Sequence, residues 1–380
     1  MYRTGEQGFS LTAFLRKLDY FQLAVMGMLL VAGAVFIRSI GQQIGSPAAL
    51  NYFPRQLQWI AVGFCTYAAM ACIDYRKIQY RIAALVFYAI CIVLLTVVLF
   101  FGKEINNASR WLVIGGMRIQ PSEPAKFAVI AVLAGLFASS GWRLKRWQIG
   151  ALTIAVVGIP FILIAKEPDL GSALILLPIY CSMIFVAGLK WRYIIAGFVG
   201  VLIIGVIGYI DFHREKPVLL RGYQRDRIKV FIDPKYDIQN RGHQPYQARL
   251  GVGSGGLHGK GIGQGTQNAL GFLPQMAAHN DFIFSVIAEE TGFCGVFGLL
   301  LLYGMLLYTM LRTAFFAPPY GRMLAMGSAM MFFFHVFINV GMSIGVAPVS
   351  GLSLPLVSYG GSFIVISMAM LGLMQSIRTH

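Results

Sequence analysis

Charge is what this chain has least of. Asp, Glu, Lys and Arg together make up 12% of its 380 residues, about half of what a soluble domain carries. That shortage excludes an ordinary soluble globular protein. Acids are the scarcer sign, 15 against 31 Lys and Arg, which leaves a formal charge of +16. Cysteine is sparse too. Cys65, Cys72, Cys91, Cys181 and Cys294 all fall inside apolar segments and never in a C-x-x-C spacing. They read as thiols packed among helices, and a disulfide framework or a Cys/His metal site is not indicated. The sequence also lacks a convincing internal repeat, which weakens an inverted-repeat transporter reading. The first apolar segment is too long, and too poor in small residues at its end, to be a cleavable signal peptide.

Apolar residues are plentiful instead, at 57%. They cluster in runs of about 20, the length that crosses a bilayer as a helix. Spans are expected near 20–40, 56–73, 82–101, 123–140, 147–164, 170–188, 191–210, 281–311, 323–345 and 354–375. The fold expected is therefore an all-α polytopic membrane protein, a single bundle of about ten transmembrane helices. Its parts are a cytoplasmic segment over 1–19, spans one to seven over 20–210, a large extracytoplasmic loop over 211–280 between the seventh and eighth spans, and spans eight to ten over 281–380. The eighth span is the longest, so it is expected to tilt or to protrude.

Orientation follows from the basic loops. DYRKIQYR at Asp74, GWRLKRW at Gly141 and GLKWR at Gly188 are short and positive, which places them and both termini in the cytoplasm. The positive charge is thus a topology signal, and nucleic acid is not expected as a partner. Most acids, including Glu123, Glu167, Asp169 and Asp281, fall at outer helix ends or in outer loops on this topology. Targeting does not explain that concentration; chemistry or an outward-opening polar cavity does.

Several stretches could carry the chemistry. In NNASRWLVIGGMRIQPSEPAKF, from Asn106, an outer loop turns back at Gly115-Gly116 and a proline opens the fourth helix. Glu123 and Lys126, spaced i,i+3, share a face; the bland reading is a surface ion pair on a capped helix. In KEPDLGSAL, Asp169 suits an N-cap, and an acid so close to hydrocarbon also favours a basic partner, for which Lys126 is best placed. YQARLGVGSGGLHGKGIGQGT, from Tyr246, contains G-x-G-x-x-G without a preceding strand and fails the Walker pattern. It reads equally as a flexible loop or as an anion-binding loop with Lys260 adding charge. Arg225, in the basic stretch RGYQRDRIKVFIDP, makes an anionic headgroup a plausible partner.

In HNDFIFSVIAEETG, Asp281 would occupy the first turn of the eighth helix, where the helix dipole favours an anion. At about 100° per residue, Asp281, Ser285, Ala288, Gly292 and Gly295 share a narrow small-residue face. That face either packs closely on another helix or lines a cavity with Asp281 at its mouth. Glu289 lies near the same face and Glu290 opposite it. Finally, VSYGGS at Val357 puts irregular backbone at membrane depth, which needs protein or a wet cavity around it. His335 and Asn339, at i,i+4, suit interhelical hydrogen bonding.

NNASRW, QPSEPAK, EPDLG, YQRDRI, GSGGLHGKGIGQGTQ, HNDFIFSVIAEETG and PLVSYGG stand here in one order, and that order resembles the SEDS family of shape, elongation, division and sporulation proteins, its elongation branch most. The resemblance runs from the first span to the C-terminus. It implies an inner-membrane peptidoglycan glycosyltransferase that polymerises lipid II, an undecaprenyl-pyrophosphate disaccharide pentapeptide, on the periplasmic face. The reaction would be inverting and use one general base. Partners implied are a class B penicillin-binding transpeptidase and the elongation machinery of Mre proteins. The family's essential acid matches Asp281. The motifs nominate Arg110, Ser122, Glu123, Lys126, Asp169, Arg225, Lys260, His279 and Ser358 as substrate-binding, with Lys126 and Asp169 also as a structural pair. The metal is unknown, and Mg or Mn at the pyrophosphate is the candidate cofactor. Two departures are Gln275, where the family often has glutamate, and Asn280, where threonine is common. The competing readings are a lipid II flippase and a non-catalytic scaffold that activates a transpeptidase.

Overall fold

The computed structural model describes residues 16–78, 81–105, 108–114, 117–138, 146–167, 169–188, 206, 210, 222–233, 237, 242–272 and 278–380. The expected seventh span, the basic loops at 141–145 and 189–192, and the departure at Gln275 lie largely or wholly outside those residues. The long helices are α1 (Tyr20–Ile44), α2 (Tyr52–Cys72), α3 (Arg81–Phe101), α4 (Ser122–Ala138), α5 (Arg146–Lys166) and α6 (Leu170–Val186), then α7 (Gly222–Ile232), α8 (His243–Ser254), α9 (Ile283–Phe316), α10 (Pro319–Ile344) and α11 (Gly361–Thr379). Within α1, α3, α5, α9, α10 and α11 lie six stretches long and apolar enough to cross a membrane. The bundle is not purely helical: β1 (Lys103–Ile105), β2 (Ala108–Ile114) and β3 (Met117–Ile119) form a small antiparallel sheet in that order. Ile114 opposite Met117 makes β2 and β3 the arms of a hairpin around residues 115–116, where the glycine pair predicts a turn.

Helix α4 is the centre of the bundle. Nearly all of its residues are buried, Lys126 and Glu123 included, as expected of a helix apolar on every side. Close approach elsewhere depends on small residues, as is usual between helices in lipid. On α2, Gly63 abuts Met368 of α11, and Gly372 lies against the backbone of Tyr67. On α10, Gly327 lets the helix sit against Ile130 of α4.

The two ends of α2 mark two ends of the bundle. At its C-terminal end, Ser376 Oγ donates to the Ile73 carbonyl at 2.6 Å, and Arg76 donates to the His380 carbonyl. There Lys17 donates to the Thr379 carbonyl, and Asp19, the α1 N-cap, pairs with Arg378. The basic stretch at Asp74 and both terminal segments therefore share one end. Tyr52, at the N-terminal end of α2, meets the segment around His279 at the other.

Helix α9 is not continuous. Gly292 breaks it at φ 66° and ψ −163°, a conformation open essentially to glycine alone. The break removes the helical bonds from Phe293 and Cys294 back to Glu289 and Glu290, leaving two carbonyls and two N–H groups to satisfy. The glycine-rich loop after α8 satisfies all four. Lys260 N donates to the Glu289 carbonyl and Gly261 N to that of Glu290, both at 3.0 Å. Phe293 N donates to the Gly256 carbonyl at 2.9 Å and Cys294 N to that of Leu257 at 3.1 Å. The amides of Lys260 and Gly261 are thus taken up by a helix and do not face an anion. The glycines are what let the loop come so close: a Cβ on Gly259, at φ 77°, would collide with the backbone of Glu290.

Replacing Gly259 or Gly292 by alanine should lower stability by about 2 kcal/mol or more, because each demands positive φ and admits no Cβ. Gly253→Ala, on α8 with open space around it, should be neutral or slightly stabilising. Thermal unfolding of the purified variants in detergent micelles checks both.

Candidate active site

Asp281 sits on a turn and not inside the first helical turn. The helix begins at Ile283 with Phe282 as its N-cap, so the expected small-residue face is interrupted twice, before its start and again at Gly292. What holds Asp281 is its backbone. Three successive carbonyls of the turn each accept a hydrogen bond from a different group. Tyr359 N donates to His279 O at 2.9 Å, Ser358 Oγ to Asn280 O at 2.6 Å, and Asn339 Nδ2 to Asp281 O at 2.8 Å. With its main chain fixed on that side, the half-buried Asp281 carboxylate has a defined origin.

The donors are themselves fixed. Ser358 Oγ also accepts from Leu354 N at 2.8 Å, so this hydroxyl bridges two loops and holds the turn; that is where the structure puts a residue expected to bind substrate. The same loop contains Leu356 at φ 66°, strain of about 1–3 kcal/mol for a bulky residue. Full burial of Leu356 and the Tyr303 hydroxyl, which donates to the Pro355 carbonyl at 2.5 Å, over-determine it. Asn339 donates a second bond to the Leu352 carbonyl at 2.7 Å. His279 is buried under Tyr52, stacked at 4.1 Å between ring centroids, with Tyr359 edge-on at 5.1 Å.

One helical turn from Asn339, His335 connects this loop to α4. Lys126 Nζ lies 2.8 Å from both Glu123 Oε1 and His335 Nε2. An ammonium only donates, so His335 Nε2 accepts and Nδ1 carries the proton toward the Ser353 carbonyl, 3.1 Å away. Phe363 of α11 stacks on His335 at 4.8 Å. Glu123 and Lys126 therefore form a buried pair, 4% and 0% exposed, and not the surface pair that spacing allows. The expected Lys126–Asp169 pair is replaced by a different tie: Asp169 caps α6 through Ser172 N and accepts from Gln120 Nε2 at 2.9 Å, just before α4. Lys126 points into the bundle toward His335, and Gln120 reaches Asp169 in its place.

This arrangement can be compared with known proteins. The FtsW/RodA/SpoVE family model, described as a cell cycle protein, matches residues 15–380. The chain belongs to the FtsW/RodA/SpoVE family. It is 38% identical to the peptidoglycan glycosyltransferase MrdB of Escherichia coli K12 over 96% of this chain and 94% of that one. To the peptidoglycan glycosyltransferase RodA of Treponema pallidum it is 31% identical, covering 95% and 98%. Among solved structures it resembles a chain described under structural coordination of polymerization and crosslinking by a peptidoglycan synthase complex, with TM-score 0.78, 30% identity and coverage of 95% and 97%. The crystal structure of RodA from Thermus thermophilus gives TM-score 0.69 at 29% identity, covering 95% and 96%.

In this family member His279, Asp281 and Ser358 come together at the turn, and Glu123 and Lys126 join them through α10. Ser122, at the head of α4, is fully buried, and its hydroxyl makes no hydrogen bond among the described residues. Lys260 is elsewhere: its ammonium meets Glu289 Oε1 at 2.5 Å and Thr266 Oγ1 at 2.7 Å. The same Glu289 oxygen accepts from Thr266 N at 2.8 Å. Glu290, which spacing leaves unexplained, accepts from Ser39 Oγ at 2.6 Å and Gln43 Nε2 at 2.5 Å, tying α1 to the break. Glu289 thus clamps the glycine-rich loop, and Glu290 clamps α1. Arg225 lies half-buried on α7, and Arg110 falls in β2, where only its backbone is described. No group of three or more His, Cys, Asp or Glu that could hold a metal occurs among the described residues. Sequence reasoning missed Tyr52 altogether, since no motif marks it. It recognised Asn339 as a hydrogen-bonding residue without seeing that its partner is the Asp281 backbone.

Lys126→Met should cost about 3–5 kcal/mol, because it takes the paired ammonium away from the buried Glu123 carboxylate. The double variant Glu123→Gln with Lys126→Met should recover part of that loss, since it removes both charges. Thermal unfolding of the two purified proteins in one detergent compares them.

Proposed function

We propose that this protein is a peptidoglycan glycosyltransferase that polymerises lipid II into β-1,4 glycan strands, with Asp281 as the general base. The observation that carries the reading is the turn itself: an acid whose three neighbouring carbonyls are each held by a separate donor. A general base gains from such preorganisation, because misplacement of about 1 Å can cost on the order of 100-fold in rate. The relatives named above as peptidoglycan glycosyltransferases support the same activity.

In the reaction, the acceptor's 4-hydroxyl oxygen attacks the anomeric carbon of the lipid-linked donor, forming the new glycosidic C–O bond. The bond from that carbon to the pyrophosphate oxygen breaks, and the pyrophosphate leaves with the electron pair. The hydroxyl proton passes to the Asp281 carboxylate. An α-linked donor then gives a β-link by a single inverting displacement. The leaving group needs cationic stabilisation. Lys126 is fully buried against Glu123 and His335, so its part is to position α4 against α10. Arg110, Arg225 and the exposed flank of Lys260 are the cations left for the pyrophosphate. Mg or Mn, if used, would add positive charge against the leaving pyrophosphate.

The same reading places about ten spans in a bacterial inner membrane, with both termini cytoplasmic and the turn at the periplasmic face. In its support, the terminal segments and the basic stretch at Asp74 share one end of the bundle, and Asp281 lies toward the other. A class B penicillin-binding transpeptidase is the proposed partner, in keeping with the synthase complex whose chain this one resembles. Mre proteins would complete the elongation machinery.

Purified protein supplied with lipid II should form glycan chains, assayed with and without the transpeptidase. Asp281→Asn, nearly isosteric, should lower the rate by at least ~100-fold without changing the unfolding temperature. Normal polymerisation by that variant would remove Asp281 from the mechanism.

A further inference from the structure

Beside the turn stands an aromatic group whose rings take no part in the proton transfer to the proposed base. Tyr52, His279 and Tyr359 come from three separate parts of the chain: the N-terminus of α2, the turn, and the loop before α11. Tyr52 lies 4.1 Å from His279 at 29° and 5.2 Å from Tyr359 at 48°, centroid to centroid. His279 is buried at 2% exposure, while both tyrosines are half-buried, so the group is not sealed from its surroundings. The Tyr52 hydroxyl has no hydrogen-bond partner among the described residues and is not enclosed. In contrast, the buried Tyr303 places its hydroxyl on a carbonyl.

A half-buried aromatic group with an open hydroxyl, two residues from a base, suits one kind of ligand. A pyranose presents a face of axial C–H bonds, slightly positive, to the negative face of an aromatic ring, and keeps its hydroxyls in the ring plane. A phenol at the platform's edge can then donate to, or accept from, one of those hydroxyls. We infer that Tyr52 and Tyr359 form the stacking platform for the acceptor's terminal pyranose, the sugar whose 4-hydroxyl gives its proton to Asp281. This rests on the function proposed above. It selects the acceptor sugar over the donor because a base must lie within about 2.6–3.2 Å of the oxygen it deprotonates. That oxygen belongs to the acceptor, so the acceptor ring sits next to the turn that His279 and Asp281 share. His279, stacked behind Tyr52 and fixed through its carbonyl by Tyr359 N, sets the tilt of the platform without touching sugar.

Binding separates the platform from simple packing. In an Asp281→Asn background, two probes are compared: lipid II, and undecaprenyl pyrophosphate, which has the same lipid and phosphates but no sugar. Tyr52→Leu and Tyr359→Leu should each weaken lipid II by about tenfold, the scale of one aromatic contact, and leave the sugarless lipid within about twofold. Tyr52→Phe should keep most of the lipid II affinity. In the native background, Tyr52→Leu should raise KM for lipid II more than it lowers kcat. Unchanged lipid II binding by the leucine variants overturns the platform, and so does an equal loss for both probes, which would mark the rings as packing alone. Should Tyr359→Leu fail to fold, Tyr52→Leu decides by itself, since Tyr52 is half-buried at a helix end. Normal polymerisation by Asp281→Asn would instead strike the base assignment, and the comparison of the two probes would still stand.

Discussion

Four hydrogen bonds between a loop and a broken helix are what the rest of this molecule depends on. Backbone polar groups inside an apolar bundle have no water to turn to, so a helix can break there only if something else meets the exposed carbonyls and amides. The loop from Gly256 to Gly261 does so at Gly292. The buried carboxylate of Glu289 then fastens the loop through Lys260 and Thr266, and that of Glu290 joins the break to Ser39 and Gln43 of α1. Each bond in the set needs the others. Without the glycines the loop could not approach, and without the loop the acids would be buried beside orphaned carbonyls.

The polar residues on either side of α10 obey the same rule. Lys126 is buried because Glu123 and His335 both receive it, and His335 is oriented because Ser353 receives its other nitrogen. Asn339, one turn along, divides its amide between the Asp281 and Leu352 carbonyls. Helix α10 thereby carries two side chains that connect the core of the bundle to the turn at Asp281. Such a network is rigid only while every member is satisfied, and it ties four of the polar residues singled out by motif, His279, Ser358, Glu123 and Lys126, to the turn at Asp281.

Much of this was legible in the amino-acid order, and the failures have physical causes. Apolar runs mark helices because hydrocarbon length sets helix length, and the PLVSYGG stretch announced irregular backbone because glycine and proline do so locally. The break at Gly292 was hidden: AEETGFCG continues a helical pattern without interruption, and only a loop arriving from elsewhere makes the break affordable. The glycine-rich loop was ambiguous for a related reason, since closeness to a phosphate and closeness to a helix backbone both call for glycine. Lys126 drew Asp169 as its expected partner because charge and position allow that pair. A neutral imidazole on a distant helix cannot be ranked against it without coordinates. Tyr52 was invisible, because a single tyrosine at a helix start carries no local signature.

The broken helix also bears on how much of its length must cross a membrane. A straight helix over the 34 residues of α9 would be about 51 Å long at 1.5 Å per residue, more than the ~40–45 Å of a whole bilayer with its headgroups. After Gly292 the remaining stretch is roughly 36 Å, enough by itself to cross a hydrocarbon core of ~30 Å with a modest tilt. Exposure changes at the same point: 283–290 are buried throughout, whereas Phe293 and Phe297 are more than half exposed. The first segment is thereby released from spanning, and it lies buried with its end bonded to the glycine-rich loop.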